Sequence, residues 1–308
     1  MSRFVPPTSA FTLGVFRALV CAVLLANALW EDLSNVTKLP LGLRQRMGTA
    51  NWLPEAIFTN ETLLIVIQLV TIITLVLGML GLWTRLTLPT ALVSTLLMGG
   101  IIRSMTSYYH INVATWWLLL ILCWTPCADT FSIDAWRKRD TYAALRKRTP
   151  PMVYGWARYA CWVLLVLVYL AAGLNKLRQG GLLWWDATNL RSIVYRSALE
   201  PSDFDFAAGL VLENAPDALF ALLGITSLVI ELGYASVLFS RRARWVFPAL
   251  AAAMHIGIFL LQKIFFYDLV LLQLLFVDWE RVYRWLQSKF NRADAAPETS
   301  APASSLRQ

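Results

Sequence analysis

The sequence predicts an all-α protein, a polytopic membrane helical bundle with about eight transmembrane helices. Hydrophobic residues make up 58% of the 308 residues and charged residues 15%, whereas a soluble domain is about 45–50% apolar. The apolar runs are long and lack the alternation of strands, so in lipid the backbone hydrogen bonds are satisfied within helices rather than in a barrel. The 14 Trp and 15 Phe residues suit a chain that meets two lipid interfaces.

Eight apolar segments define the predicted helices. A bilayer core needs about 20 helical residues, and the third, fourth and eighth segments are short or interrupted, so the predicted count holds to within one helix. Pro89 and the pair Gly99 and Gly100 predict a distorted third helix. The first segment is long enough to remain a membrane span and is not expected to be cleaved as a signal peptide. The segments are 11–30, 62–83, 86–102, 111–128, 156–176, 217–239, 243–262 and 264–278.

The distribution of Lys and Arg predicts the orientation of the bundle. With eight spans both termini lie on one side, and that side carries most of the Lys and Arg residues. Because cytoplasmic loops are enriched in these residues, both termini are predicted to be cytoplasmic, in the inner membrane of a bacterium. The net charge of +8 is assigned to these loops and not to a nucleic-acid partner. The chain is predicted to form one transmembrane domain, 1–290, and a disordered cytoplasmic tail rich in Ala, Pro and Ser, 291–308.

Three connections are long enough to carry structure of their own. Two lie on the outer side, 31–61 and 177–216, and loops of that length tend to cover a functional site. The cytoplasmic connection 129–155 begins FSIDAWRKR, in which Ser132 and Asp134 are placed to cap a short amphipathic helix. The basic face of that helix suits anionic lipid headgroups.

No metal site is predicted from the four cysteines. Cys21 and Cys161 lie inside apolar runs, where Cys is commonly an inert small hydrophobe. Cys123 and Cys127 have helical spacing, but no His or acidic residue is spaced to complete a metal site with them. All four are therefore expected to be structural.

A first pair of ionisable residues lies in the cytoplasmic halves of predicted spans, where charge is costly. Arg17 lies in the cytoplasmic half of the first span, and Glu231 lies at a similar depth in the sixth. We expect a structural ion pair between Arg17 and Glu231 that fixes the first helix against the sixth. A charged site for a substrate is the alternative.

A second group of polar residues gathers toward the outer side. Lys176 and Asn175 end the fifth span, and Tyr169 lies seven residues before Lys176 and so on the same helical face. A lone His on an apolar helix is more often a packing residue, but two His and one Lys at one depth on three helices favour a site. The group consists of Lys176, His110, His255, Tyr169, Asn175, Asp268, Gln68 and Trp185.

The residue types in this group suggest acid–base chemistry on an acidic hydroxyl. A lysine that is shielded from water and close to histidines is expected to be present as a neutral amine, which is a competent base near neutral pH. A neutral imidazole can donate a hydrogen bond to a developing oxyanion. These two roles suit proton abstraction from a phenol or hydroquinone at the membrane surface.

Short motifs resemble those of a known membrane enzyme family. AGLNKL, followed by Trp184 and Trp185, resembles the AGxKKL-then-Trp stretch of vitamin K-dependent gamma-glutamyl carboxylase. HINVATWWLLL followed by FSIDAW, and MHIGIFLL followed by FFYDLVLLQLLFVD, resemble the two His-containing helices of that family with the segments behind them. The set resembles the horizontally transferred transmembrane (HTTM) domain that bacteria share with the carboxylase, so 1–290 is expected to be an HTTM-like domain.

The resemblance implies roles for two residues. Lys176 matches the lysine that acts as base on vitamin K hydroquinone, and His110 matches the histidine that helps stabilise the carbanion formed on the substrate glutamate. Asn175 stands where the family has its first lysine, and the lumenal domain of the carboxylase has no counterpart in this sequence. One stand-alone bacterial member is needed to mature a secreted peptide toxin, which implies a role in peptide processing.

Two functional hypotheses follow. The first is a membrane enzyme, a carboxylase-like lyase or a quinol-dependent oxidoreductase, that uses a lipid-soluble quinone or vitamin K-like hydroquinone at an outward-facing site and modifies or matures a secreted peptide. Lys176 is its expected base and His110 its charge stabiliser, while the other residues of the group bind substrate or cofactor. The second is a non-catalytic membrane scaffold or partner protein for peptide maturation or export. A transporter is disfavoured because the sequence has no paired repeats or matched broken helices.

Overall fold

The chain is all-helical in the part that the structure describes. The structure is a computed structural model that covers residues 5, 7–40, 48–103, 111–199 and 214–294, and no β-strand occurs in these ranges. The predicted all-α class is therefore confirmed. The α-helices are α1 (Ala10–Trp30), α2 (Glu55–Thr59), α3 (Glu61–Leu80), α4 (Thr84–Ile102), α5 (Val113–Cys123), α6 (Ile133–Arg137), α7 (Arg139–Arg148), α8 (Pro151–Gly180), α9 (Ala187–Leu199), α10 (Asp217–Gly233), α11 (Ala243–Gln262), α12 (Tyr267–Leu272) and α13 (Trp279–Asp294).

Six of the described helices are long and apolar enough to cross a membrane, which makes the chain an integral membrane protein. They are α1, α3, α4, α8, α10 with its 3₁₀ extension to Leu238, and α11. Two shorter apolar helices, Val113–Cys123 and Tyr267–Phe276, lie where the fourth and eighth spans are predicted. The eight predicted segments thus correspond, in order, to six long and two short apolar helices.

Helix α1 joins the early helices to the later ones. It packs against α3, α5, α8 and α12. Leu13, Phe16, Val20 and Leu24 lie three or four residues apart and are almost fully buried, so they form the apolar stripe of a core-facing helix. Because α3 and α4 form a contacting pair, α1 holds this hairpin against the later part of the bundle.

Helix α4 runs without interruption through the residues that predict a distortion. Pro89 and Gly99 both lie inside Thr84–Ile102. A Cβ atom on Gly99 would lie 2.2 Å from the ring of Trp116, so the glycine lets this α5 ring pack against the α4 backbone. Gly99 therefore marks a close helix contact and not a break.

Helices α8 and α10 approach closely at Gly173. A Cβ atom placed there would lie 2.9 Å from Cδ2 of Leu232 and 3.1 Å from Cβ of Glu231. The absence of a side chain on Gly173 thus brings the α10 residue Glu231 next to α8. This approach positions the polar residues one turn further along α8.

Replacing Gly173 with Val is expected to destabilise the protein by about 1–3 kcal/mol, the usual cost of forcing extra methyl groups into a packed contact. The measurement is the free energy of unfolding in mixed detergent micelles. Gly257→Ala is the matched control, because a Cβ atom there meets nothing within 4 Å and Ala is the better helix former. Equal stability of Gly173→Val and wild type would show that the close approach is not needed.

The FSIDAW segment forms two short helices, α6 and α7. The hydroxyl of Ser132 accepts a hydrogen bond from the N–H of Ala135 at 3.0 Å, which confirms the predicted cap. Asp134 has a different role, because its Oδ2 accepts from the N–H of Thr84 at 3.2 Å. Asp134 therefore ties the α6 turn to the first residue of α4.

The connection after α8 folds back over the neighbouring helices. A 3₁₀ helix, Gly181–Trp185, leads into α9, and α9 packs against α10 and α11. Leu190 and Val194 of α9 form a buried apolar cluster with Phe220 of α10. The connection thus covers these helices, as its length predicts, although residues 200–213 lie outside the described part.

The C-terminal segment from Asp278 onward forms a compact unit of its own. Within it, α13 extends to Asp294. The predicted disordered tail, 291–308, is therefore wrong for its first four residues, because the helix continues past the predicted boundary. Residues 295–308 lie outside the described part.

Candidate functional site

The predicted ion pair between Arg17 and Glu231 is wrong. Glu231 contacts Lys176, with Lys176 Nζ 2.6 Å from Glu231 Oε1. Arg17 is fully buried and donates to backbone carbonyl oxygens: Nη1 to Cys127 at 2.7 Å, and Nη2 to Phe131 and, at 3.4 Å, to Met79. Met79 is in the last turn of α3, while Cys127 and Phe131 lie in the connection between α5 and α6, and backbone carbonyl oxygens carry partial negative charge. They therefore compensate the guanidinium without a carboxylate.

Lys176 is held by groups from two other segments. It lies one turn before the end of α8, and its Nζ also donates to Ser227 Oγ at 2.8 Å. Ser227 and Glu231 are four residues apart and share one face of α10. On its other side the ammonium lies 4.5 Å from the centre of the Trp184 ring, a cation–π distance. The side chain of Lys176 is 22% exposed and that of Glu231 only 6%, so the pair is largely shielded.

A second polar network lies two turns earlier on the same face of α8. Tyr169 is 2% exposed, and its hydroxyl lies 3.1 Å from His255 Nε2 and accepts from Gln273 Nε2 at 2.8 Å. Tyr234 donates to Gln273 Oε1, and its ring stacks on Tyr169 with centroids 4.1 Å apart. Lys176 is near enough to His255 to act on it electrostatically. We refer to the two networks, which lie two turns apart on one face of α8, as the polar region.

Asp268 joins the start of α5 to α12. It is 1% exposed, and its Oδ2 accepts from the backbone N–H of Asn112 at 2.9 Å. Asn112 has φ 64°, and its side chain accepts from the Tyr267 hydroxyl at 3.2 Å. Asp268 is also near enough to Tyr169 to act on it electrostatically. His110, the predicted charge stabiliser, lies outside the described residues.

Three of the predicted site residues have other environments. Gln68 binds the end of α1: its Nε2 donates to the carbonyls of Ala28 at 2.9 Å and Glu31 at 2.6 Å. Asn175 is exposed and accepts only a long hydrogen bond from the next turn of its own helix. Trp185 packs its backbone on α10 at Gly224, so Trp184, and not Trp185, contacts Lys176.

The prediction from sequence omits four residues of this polar region, namely Ser227, Tyr234, Gln273 and Trp184. Two of them carried a detectable signal. Gln273 interrupts the apolar run LVLLQLLF, and Ser227 precedes Glu231 by one helical turn. A polar side chain in an apolar span is a functional hypothesis by default. The partner of Tyr234 depends on how α12 packs against the other helices, and the local sequence does not indicate that packing.

Replacing Gln273 with Leu is expected to destabilise the protein by about 1–3 kcal/mol. The substitution removes the acceptor of the buried Tyr234 hydroxyl and the donor to Tyr169, and an orphaned buried polar group costs that amount. The measurement is thermal unfolding in detergent. Adding Tyr234→Phe should restore part of the loss, because it removes the orphaned donor; no recovery in the double variant would contradict the network.

Three buried polar atoms in this region have no hydrogen-bond partner in the described part of the chain. They are Glu231 Oε2, His255 Nδ1 and Asp268 Oδ1. Native structures contain few such groups, so each marks a position where a ligand or water can bind. Together they offer two carboxylate oxygens and one imidazole nitrogen, and the carboxylate of Glu231 is the one that contacts Lys176.

The described residues contain no group of three or more His, Cys, Asp or Glu side chains that could hold a metal ion. Cys21, Cys123, Cys127 and Cys161 are free thiols. The polar region therefore consists of an amine, carboxylates, an imidazole and phenols. Side chains of these types can transfer protons and form hydrogen bonds.

No family model matches the chain, and neither a curated protein nor a solved structure matches it. The resemblance to the carboxylase membrane domain is therefore supported by its short motifs alone.

Proposed function

We propose that this protein is a membrane-embedded acid–base enzyme that acts on a lipid-soluble hydroquinone, with Lys176 as the base. The contact of Lys176 with Glu231 carries the proposal: an amine 2.6 Å from a carboxylate, on two helices long enough to span a membrane. Ionisable groups in such helices are costly and commonly functional. The motif resemblance assigns the same lysine to the same role.

The proposed step is the transfer of one proton from a hydroquinone hydroxyl to Lys176 Nζ, after the Lys176–Glu231 pair has released the proton that the lysine holds in the contact. The products are the hydroquinone anion and the Lys176 ammonium. Glu231 stabilises the ammonium by a charge-assisted hydrogen bond, and Ser227 orients it. Because the pair is largely shielded from water, these interactions are stronger than they would be in solution.

The second polar network supplies the remaining groups for binding. The Nδ1 atom of His255 is buried without a partner, while its Nε2 is fixed by Tyr169. A substrate oxygen at Nδ1 would receive a hydrogen bond when that nitrogen carries the proton. His110 is the proposed stabiliser of the developing charge, on the resemblance alone.

The proposed topology has eight membrane crossings, with both termini cytoplasmic and the site toward the outside of a bacterial inner membrane. The last turn of α7 carries Arg146, Lys147 and Arg148 and precedes α8 by a short link. Cytoplasmic segments beside membrane helices are typically basic. Lys176, near the other end of α8, then faces outward, where a secreted peptide would be modified.

A non-catalytic scaffold is the second candidate. The contacts of Lys176 favour it, since Glu231, Ser227 and Trp184 together give the ammonium a complete set of partners. In the scaffold, the sole role of these contacts is to hold α8 against α10. A scaffold of this kind would assist peptide maturation or export without turnover.

Oxidation of an added hydroquinone in air tests the proposed function. The hydroquinone anion loses two electrons to O₂ faster than the neutral form, giving the quinone and hydrogen peroxide. Purified protein in lipid nanodiscs should accelerate quinone formation from reduced menaquinone, and mass spectrometry should find a quinone among its retained lipids. If the protein neither retains a quinone nor accelerates its formation, the enzyme proposal fails.

A further inference from the structure

Helix α13 has two contrasting faces. Trp279, Val282, Tyr283 and Leu286 follow the i, i+3, i+4, i+7 spacing of an apolar stripe. Trp285 and Leu286 are 53% and 40% exposed. An amphipathic helix of this length is marginal in water by itself, so transfer of its exposed apolar side chains into an apolar environment would stabilise it.

The opposite face of α13 is basic. Arg281, Arg284 and Ser288 are spaced three and four residues apart, and all are exposed. Lys289 flanks the apolar stripe and lies 4.6 Å from the centre of the Trp285 ring. Among the residues of α13 up to Lys289, Glu280 is the one acidic side chain. An apolar stripe with aromatic residues and a basic polar face is typical of helices that lie in a membrane interface.

The position of α13 in the chain suits the same partner. The apolar helix Tyr267–Phe276 is separated from the start of α13 at Trp279 by Val277 and Asp278 alone. Two residues span only a few ångströms, so a bilayer that holds this apolar helix also lies close to the first turn of α13. The short link to the apolar helix and the basic face of α13 both favour the surface of a bilayer with acidic headgroups as its partner.

We propose that α13 binds the surface of an anionic bilayer, with the stripe of Trp279, Val282, Tyr283 and Leu286 inserted and Arg281, Arg284 and Lys289 contacting acidic headgroups. Each basic residue near an anionic surface strengthens binding roughly fivefold. The three together therefore contribute about a hundredfold.

Spin labels on the two faces test the proposal in the full chain. Leu286→Cys and Ser288→Cys are each introduced into a parent whose four native cysteines are Ala, and the labelled protein is reconstituted in POPC vesicles with or without POPG. With POPG, the Leu286→Cys label should be relaxed by oxygen, which concentrates in lipid. The Ser288→Cys label should instead be relaxed by a water-soluble nickel chelate. Replacing Arg281, Arg284 and Lys289 with Gln should remove this contrast.

Three outcomes would overturn the proposal. Equal access of the nickel chelate to both labels would place α13 in water. A Leu286→Cys label that neither reagent reaches would show that protein, such as a second copy of the chain, covers the apolar stripe. The same contrast with and without POPG would exclude the role of acidic headgroups.

Discussion

Replacing Lys176 with Met is expected to lower hydroquinone turnover by about 100- to 10,000-fold, the range that a positioned general base contributes. Met has nearly the length of the Lys176 stem but no lone pair to accept the proton. The measurement is the initial rate of quinone formation at saturating hydroquinone. Arg178→Met is the matched control, because Arg178 is an exposed basic residue two positions along the same helix.

The same substitution is expected to destabilise the protein by about 3 kcal/mol, because it leaves the buried carboxylate of Glu231 without its cation. Adding Glu231→Leu should recover most of this loss, since an apolar pair of similar volume commonly replaces a buried ion pair at little cost. The measurement is the free energy of unfolding of both single variants and the double variant in mixed micelles.

The double variant separates the enzyme from the scaffold. If Lys176 is a base, Lys176→Met/Glu231→Leu regains stability but remains inactive. If the pair only holds α8 against α10, the double variant regains both stability and any cellular function in peptide maturation. A double variant that recovers neither would show that the two side chains do not act as a pair.

Apolar periodicity predicts the helices of this chain well, because each membrane helix must satisfy its own backbone hydrogen bonds. The boundaries of the first, sixth and seventh segments agree with α1, with α10 and its 3₁₀ extension to Leu238, and with α11 to within one residue. α8 is longer than its predicted segment, since Pro151 begins it and polar residues after Lys176 continue it to Gly180. Hydropathy underestimates the length of a helix that extends beyond the apolar core of the bilayer.

Pairing between helices was less predictable than the helices themselves. Equal depth suggested that Arg17 meets Glu231, but Glu231 contacts Lys176, a residue that the sequence assigned to the outer group, so the bounds of the apolar segments misjudged the depth of Glu231. The close approach of α8 and α10 at Gly173 places Glu231 beside α8, within reach of Lys176. The sequence did group Tyr169 with His255, and their side chains are in contact, while Lys176 lies two turns further along the same face of α8.

Replacing Arg17 with Met is expected to destabilise the protein by about 3 kcal/mol, roughly 1 kcal/mol for each of the three carbonyl oxygens that lose a donor. Arg17→Lys should recover only part of the lost stability, because one compact ammonium group cannot reach the three acceptors that the planar guanidinium group reaches. The measurement is the free energy of unfolding in mixed micelles. Arg85→Met is the control, since Arg85 is exposed on α4 and should change stability by less than about 0.5 kcal/mol.

A double-mutant cycle between Arg17→Met and Glu231→Leu decides between the two possible partners of Glu231. The structure gives the two residues separate partners, so their effects should add to within about 0.5 kcal/mol. An ion pair between them would instead give an interaction energy of about 1 kcal/mol or more. The cycle between Lys176→Met and Glu231→Leu should show an interaction energy of about 1 kcal/mol or more. Either single change leaves an unpaired buried charge, and this charge accounts for most of the lost stability. Coupling of Glu231 to Arg17 in place of Lys176 would remove the basis for the proposed acid–base pair.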